Sequence, residues 1–281
     1  MSARPAAPSA ASVDAGSPAP ALAPLRPVRQ LWSRIATMCL AELRKVRHDR
    51  TELYMRAIQP ALWLLIFGET FTRIHAIPTP YGLPYLDYLA PGIIAQSAMF
   101  VSIFYGIQII WERDAGILTK LLATPTPRAA LVTGKSFASG VRATAQVVVV
   151  LVLSAILGVT FQWNPLDILA SVAIVVLASA FFSALSMTIA GLVLSRERLM
   201  GIGQAITMPL FFASSALYPV AVMPVWIRWL AVINPLSYEV TALRSLLLGI
   251  PGNVALCAGV LVAAAIGGIA AASGLLSRLA R

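Results

Sequence analysis

The sequence predicts an all-α polytopic membrane protein, and its composition, apolar run lengths and charge distribution support this class. Of its 281 residues, 59% are hydrophobic and 11% are charged, and the mean hydropathy is +0.83. Soluble domains carry about 25% charged residues, so a soluble globular fold is excluded. Several apolar runs reach the roughly 20 residues that a helix needs to cross a bilayer.

We expect six transmembrane helices, and hydropathy places them between polar or proline-containing breaks. The predicted spans are about 57–76, 88–111, 137–161, 166–194, 200–219 and 253–276. They make up a transmembrane domain over 56–281. Residues 1–28 are rich in Ala, Pro and Ser without an apolar core, which predicts a disordered cytoplasmic tail.

Residues 29–55 alternate apolar and basic positions at helical spacing. Trp32, Ile35, Cys39, Leu43 and Val46 can share one face, with arginines and Lys45 on the rest. The pattern predicts an amphipathic interfacial helix whose basic side chains meet lipid phosphates. A cytosolic helix that packs on a partner remains the alternative.

The basic residues are distributed asymmetrically about the predicted spans. Of the 21 Lys and Arg, only Arg73, Arg228 and Arg244 lie on one side, and the other 18 lie on the opposite side. Because cytoplasmic loops are enriched in Lys and Arg, both termini are predicted to be cytoplasmic.

The segment 218–252 is apolar but is broken by four prolines, Pro219, Pro224, Pro235 and Pro251. Neither proline-free piece is long enough to cross a bilayer comfortably. Trp226, Trp229 and Tyr238 are typical of membrane interfaces. We therefore predict a re-entrant or surface-lying pair of short helices, an outer hairpin before the last span. The residues singled out there are Tyr218, Pro219, Trp226, Asn234, Pro235, Tyr238 and Arg244.

The cytoplasmic stretch 111–128 predicts a short amphipathic helix between the second and third spans. Glu112 and Asp114 precede Lys120, which places acids at the positive end of such a helix. Its apolar residues recur at helical spacing, so one face is expected to contact a partner. The alternative is a solvated loop that only helps to orient the protein. The candidate contact residues are Glu112, Arg113, Asp114, Gly116, Leu118, Leu121 and Leu122, and Ile117 also belongs to the apolar pattern.

Residues for enzymatic chemistry are scarce. Gly134-Lys135-Ser136 resembles the end of a phosphate-binding loop, but Ala129 stands where that motif needs a glycine. The two cysteines and two histidines show neither metal-ligand nor redox spacing. The chain is therefore not expected to be an enzyme, to hold a metal or cofactor, or to bind nucleic acid.

Polar residues within the predicted spans are sparse. Glu69 is an intramembrane acid and hence a functional candidate, although Arg73 one turn later can also satisfy it as a structural pair. The span glutamines fit either interhelical hydrogen bonds or a mostly apolar substrate route. Candidate translocation-path or gating residues are Gln59, Glu69, Gln96, Gln108, Gln204, Phe211 and Phe212.

Four motifs together resemble the membrane subunit of a type-2 ATP-binding-cassette (ABC) exporter, of the daunorubicin-resistance and nodulation-factor-export kind. They are QPALWLLIFG at 59–68, YLAPGI at 88–93, WERDAG at 111–116 running to LLATP at 121–125, and an outer segment with Tyr218-Pro219, Pro224, Trp226, NPLSY at 234–238 and Arg244. The resemblance covers about residues 30–276.

The resemblance implies that the segment 112–122 is a coupling helix that docks on a separate ATPase subunit. It further implies two membrane chains, either two copies or this chain with a homologous permease, and two ATPases that bind ATP and Mg. Cargo would be an amphipathic drug, a lipid or a lipid-linked saccharide, exported across a bacterial plasma membrane. The alternative functions are a secondary carrier or channel and, in a further class, a membrane-embedded lipid-modifying enzyme.

Overall fold

The computed structural model describes residues 27–48, 50–74, 79–122 and 127–279. All regular structure in these ranges is helical. The α-helices are α1 (Pro27–His48), α2 (Arg50–Leu62), α3 (Glu69–Ile74), α4 (Tyr85–Asp114), α5 (Ile117–Leu122), α6 (Arg128–Ile156), α7 (Pro165–Val193), α8 (Arg196–Phe212), α9 (Val225–Ile233), α10 (Pro235–Leu248) and α11 (Val254–Leu279). The predicted tail 1–28 lies almost wholly outside the described residues.

Four of the described helices, α4, α6, α7 and α11, are long and apolar enough to cross a membrane. They match the second, third, fourth and sixth predicted spans. The structure therefore shows an all-helical membrane protein. The other two predicted spans correspond to shorter helices, and a six-span topology stays a prediction.

The first predicted span is helical but irregular. α2 continues into a π-helix over Trp63–Gly68 and then into α3, and Pro60 lies inside α2. The fifth predicted span begins within α8, which ends at Phe212, so 213–219 are not helical. Pro209, near the end of α8, removes one backbone donor from its last turn.

α4 is the central helix, with 83% of its most apolar window buried inside the protein, against 17% for α11. It packs against α6 and α7, and α7 packs in turn against α11. Gly106 permits the close approach to α7, because a Cβ there would lie 2.5 Å from the Ser183 carbonyl oxygen.

α1 packs along α6 and ends at His48, so α2 begins inside the range that the sequence assigns to a single helix over 29–55. Ile35 and Glu42 are buried on α1, whereas Leu40 and Leu43 are exposed. Glu42 thus lies on the buried face of α1, although the apolar pattern did not place it there. Two short helices, α9 and α10, occupy the segment where the sequence predicts an outer pair.

Candidate functional site

The candidate coupling segment begins at the end of α4. Glu112 and Asp114 belong to the last turn of α4, and α5 begins only at Ile117. The prediction that these acids open the short helix is therefore wrong. Gly116 explains the break, because its φ of +70° is the left-handed conformation in which glycine ends helices.

Two acids at a helix C-terminus oppose the helix dipole and need cations nearby. Lys135 of α6 donates to Glu112, with Nζ 2.5 Å from Oε1. Asp114 accepts from Arg113 at 2.9 Å and from Arg196 at the start of α8 at 2.5 Å. The C-terminus of α4 is thus tied to α6 and to α8.

A further contact fixes the same end of α4 to α7. The Arg113 Nη1 donates to the carbonyl oxygen of Leu194 at 3.1 Å. Leu194 is the left-handed residue (φ 57°) that ends α7. Three helices therefore hold the segment from which α5 projects.

α5 exposes only part of the face that the apolar pattern predicts as a partner contact. Leu118 is 0% exposed and belongs to the protein's own core, and Leu121 packs partly against that core. Ile117 is 48% exposed, and Thr119 and Lys120 are exposed as well. Leu118 is therefore corrected from a partner contact to a core residue. The side chain of Leu122 is not among those described.

A second ionic cluster lies next to the α4 terminus. Glu42 of α1, 2% exposed, pairs with Arg142 of α6 at 2.7 Å and with Lys45 at 3.5 Å. The Tyr105 hydroxyl of α4 donates to Glu42 Oε2 at 3.3 Å. Lys135 and Arg142 both lie over the Tyr105 ring, at 5.6 and 5.5 Å from its centroid. Charged contacts thus connect α1, α4 and α6 next to the candidate coupling segment.

Glu42, Tyr105, Lys135 and Arg142 are not among the site residues predicted from the sequence. A signal for Glu42 was available, because it follows Ile35 at helical spacing and so shares the apolar side of α1. An acid on an apolar helix face is expected to find a cation, since an unpaired buried charge is costly.

The structure brings together some of the predicted translocation-path residues. Gln59 of α2 and Gln96 of α4 line one cavity of about 270 Å³, together with Gln146 of α6. The rings of Phe211 and Phe212 contact Trp63, at centroid distances of 5.5 and 6.4 Å.

The other predicted path residues lie elsewhere. Gln108 is half-buried in α4, and Gln204 is exposed on α8, and neither lines that cavity. Glu69 is exposed and accepts from Arg73 at 2.8 Å, which is the i, i+4 pairing that the structural alternative predicts.

Asn234 and the tyrosines of the outer hairpin hold its backbone in place. Asn234 caps α10 by accepting from the Leu236 amide at 3.0 Å, and its Nδ2 donates to the Leu210 carbonyl at 2.6 Å. Tyr218 donates to the Phe212 carbonyl, and Tyr238 donates to the Val232 carbonyl. These contacts join the end of α8 to the α9–α10 pair.

Arg244 anchors α10 on α4. Its guanidinium donates to the Tyr88 carbonyl at 3.1 and 3.2 Å and to the Ala216 carbonyl at 3.0 Å, and it lies 3.5 Å over the Tyr88 ring. Pro235 is the first residue of α10, and Pro219 precedes a short 3₁₀ turn. Trp226 is exposed on α9. Apart from Trp226, the described hairpin residues have structural contacts within the chain.

Comparison with known proteins agrees with this architecture. The family model for the ABC-2 type transporter matches residues 33–248. The ycf38 protein of Cyanophora paradoxa is 28% identical over 191 residues, covering 67% of this chain and 65% of that protein. Nodulation protein J of Rhizobium leguminosarum bv. viciae is 29% identical over 183 residues, with 64% and 70% covered.

A daunorubicin-resistance ABC transporter permease of Streptomyces coeruleorubidus is 24% identical over 211 residues, which are 73% of this chain and 72% of that protein. The family match spans α1 to α10 and therefore includes the α4–α5 segment and the outer hairpin. The chain belongs to the ABC-2 type transporter family and is an ABC transporter membrane subunit.

Proposed function

We propose that this subunit works in an ATP-driven exporter, in which a separate ATP-binding-cassette ATPase binds ATP and Mg. Two membrane chains, either two copies or this chain with a homologous permease, would form the pathway across a bacterial plasma membrane. Each chain would cross six times, with both termini cytoplasmic. The cargo would be an amphipathic drug, lipid or lipid-linked saccharide.

The observation that carries this proposal is how α5 is connected to the other helices of the protein. Its exposed residues Ile117, Thr119 and Lys120 project from an α4 terminus that is fastened to α6, α7 and α8. A docking element that transmits force needs an exposed contact and a rigid connection, because a flexible loop would absorb the motion. The Glu112 and Asp114 contacts supply that connection.

The test changes Ile117 to Asp. A charge placed in the centre of a small protein contact removes apolar burial and leaves an unpaired ion, so the ATPase subunit should no longer copurify with the chain. Arg198→Asp is the control, because Arg198 is an exposed charged residue outside α5. The measurement is ATPase capture by tagged chain from membranes containing both subunits.

The proposal is supported if the Ile117→Asp chain accumulates normally but captures less than about a tenth of the ATPase that the wild-type chain captures. A ten-fold loss corresponds to about 1.4 kcal/mol of binding free energy. Normal capture and normal export by this variant would contradict the docking role of α5. Proton- or sodium-driven transport by the chain alone in proteoliposomes would instead establish the secondary carrier.

A further inference from the structure

The cavity lined by Gln59, Gln96 and Gln146 contains two buried amide side chains, those of Gln96 and Gln146. Gln96 is 3% exposed and Gln146 is 1% exposed. Among the described residues, nothing pairs with Gln96 Nε2 or with either amide atom of Gln146. Ser97 differs, because its hydroxyl donates to the Ile93 carbonyl at 2.8 Å. A buried unpaired polar group is destabilising, so a bound polar molecule that hydrogen-bonds to it would be stabilised here.

A second depression, of about 340 Å³, adjoins this cavity and shares Met55 and Gln59 with it. Its remaining lining is apolar and comes from α2 and the π-helix. Those residues are Ile58, Leu62, Trp63, Ile66 and Phe67. A compartment lined by several amide side chains therefore meets, at Gln59, a compartment in which Gln59 is the one polar side chain of the described lining, and an amphiphile requires this arrangement.

The wall shared by the two compartments departs from regular helix. Pro60 lines the first cavity and cannot donate a backbone hydrogen bond to the preceding turn. The π-helix Trp63–Gly68 follows directly, and π-helical turns occur frequently at functional sites.

The lining of the first cavity defines the polar head that it can hold. Arg56 is its one charged residue, and no acid is among the described residues that line it. Amide groups both donate and accept, which favours hydroxyl or amide groups over a fixed positive charge. The volume of about 270 Å³ is below that of pockets that enclose a whole drug-sized molecule. It fits one sugar ring or a head of similar size.

We propose that these two compartments form a binding site for a single amphiphile whose head bears hydroxyl or amide groups. The head hydrogen-bonds to Gln96 and Gln146, and the apolar tail lies along α2 and the π-helix. The occupant is the exported cargo or a glycolipid-like component of the bilayer. Its assignment as cargo rests on the export function proposed above, whereas binding itself does not.

The test is photolabelling of the full chain in phosphatidylcholine nanodiscs. The probe is an alkyl glucoside with a diazirine in its alkyl chain, and mass spectrometry locates the labelled residues. Labels are expected within residues 55–67 of α2 and the π-helix. Gln146→Leu should lower that labelling roughly five-fold, because it removes the hydrogen bonds to the sugar and keeps the volume. This variant removes an unpaired buried amide, so it is expected to fold.

Two controls separate head recognition from partition into lipid. Gln204→Leu, at an exposed glutamine of α8 outside the cavity, should label like the unchanged chain. A diazirine alkane without the sugar should label the unchanged chain and Gln146→Leu equally. Equal glucoside labelling of Gln146→Leu and the unchanged chain, or labels confined to α9–α11, would overturn the proposal.

The assembled complex distinguishes the two sources of the occupant. Labelling that falls during ATP hydrolysis identifies the occupant as cargo, and labelling that persists identifies it as a resident lipid; both outcomes require the site. The nanodisc labelling described first uses the chain without ATPase. Loss of ATPase capture would therefore refute the proposed function without affecting the nanodisc labelling. Conversely, absent labelling with normal ATPase capture would refute only the amphiphile site.

Discussion

At the scale of the residue, α10 contains a buried acid and a buried base that find different environments. Arg244 donates to two carbonyl groups and stacks on Tyr88. Glu239, on the same helix, is 0% exposed, and neither carboxyl oxygen has a hydrogen-bond partner among the described residues. Burial raises the pKa of Glu239 well above its ordinary value, which favours the protonated form of this carboxyl.

Glu239 predicts a pH dependence of stability. Because its pKa is higher in the folded protein than in the unfolded chain, the folded state holds a proton that the unfolded state releases. Stability should fall as the pH rises above the ordinary glutamate pKa, until the raised folded value is reached. Glu239→Gln should remove this decline, as measured by thermal unfolding in nanodiscs between pH 5 and 8. Glu197→Gln, an exposed acid of α8, is the matched control and should keep it.

At the scale of the element, the α4–α5 junction shows what apolar periodicity can and cannot predict. The sequence indicates a short helix near 117–122 with an apolar face. It does not show which side of that face turns to α4, because both Ile117 and Leu118 satisfy the pattern. Packing on α4 buries Leu118 and leaves Ile117 outside. The sequence also does not show where α4 ends. The left-handed conformation of Gly116 shows that α4 continues to Asp114, so Glu112 and Asp114 belong to α4 and not to α5.

The Glu112–Lys135 ion pair between α4 and α6 should contribute measurably to the free energy of unfolding. The Lys135 side chain is 8% exposed and that of Glu112 is 27% exposed. Lys135→Met would leave a partly buried carboxylate unpaired and should lower the unfolding free energy by about 2–3 kcal/mol, below the 3–5 kcal/mol of fully buried pairs.

The double variant Glu112→Gln with Lys135→Met should recover most of that loss, because it leaves no unpaired charge. A double-mutant cycle from thermal or denaturant unfolding gives the coupling directly. Losses that simply add would show that the two side chains do not stabilise each other. Lys120→Met, an exposed lysine of α5, is the control and should change stability by less than about 0.5 kcal/mol.

At the scale of the whole molecule, the charge distribution and the observed contacts group the same helix ends on one side of the protein. The ends of α4, α6, α7 and α8 that meet through Glu112, Arg113 and Asp114 are the ends that the positive-inside rule assigns to the cytoplasm. Arg244 contacts Tyr88 in the N-terminal part of α4, at the opposite end of that helix, and Asn234 contacts the C-terminal end of α8.

Cysteine labelling tests the six-span topology. After replacement of Cys39 and Cys257, single cysteines at Lys120 and Arg278 should be shielded from an impermeant thiol reagent in intact bacteria, and one at Trp163 should react. All three native side chains are exposed on the protein surface. Permeabilised cells are the positive control for the two shielded positions. Labelling at Arg278 in intact cells would mean that the number of crossings before it is odd, which would contradict the six-span topology.

The sequence by itself determined the helical membrane class, four of the spans and the family, because bilayer burial imposes long apolar runs and the motifs keep their order. It also predicted a proline-broken outer segment, where α9 and α10 lie. Only the tertiary structure decided which face of α5 is exposed, that Glu42 meets Arg142, and that Gln96 and Gln146 share a cavity. The physical reason is that periodicity records the width of an apolar face, whereas these contacts depend on how neighbouring helices are rotated and how closely they approach.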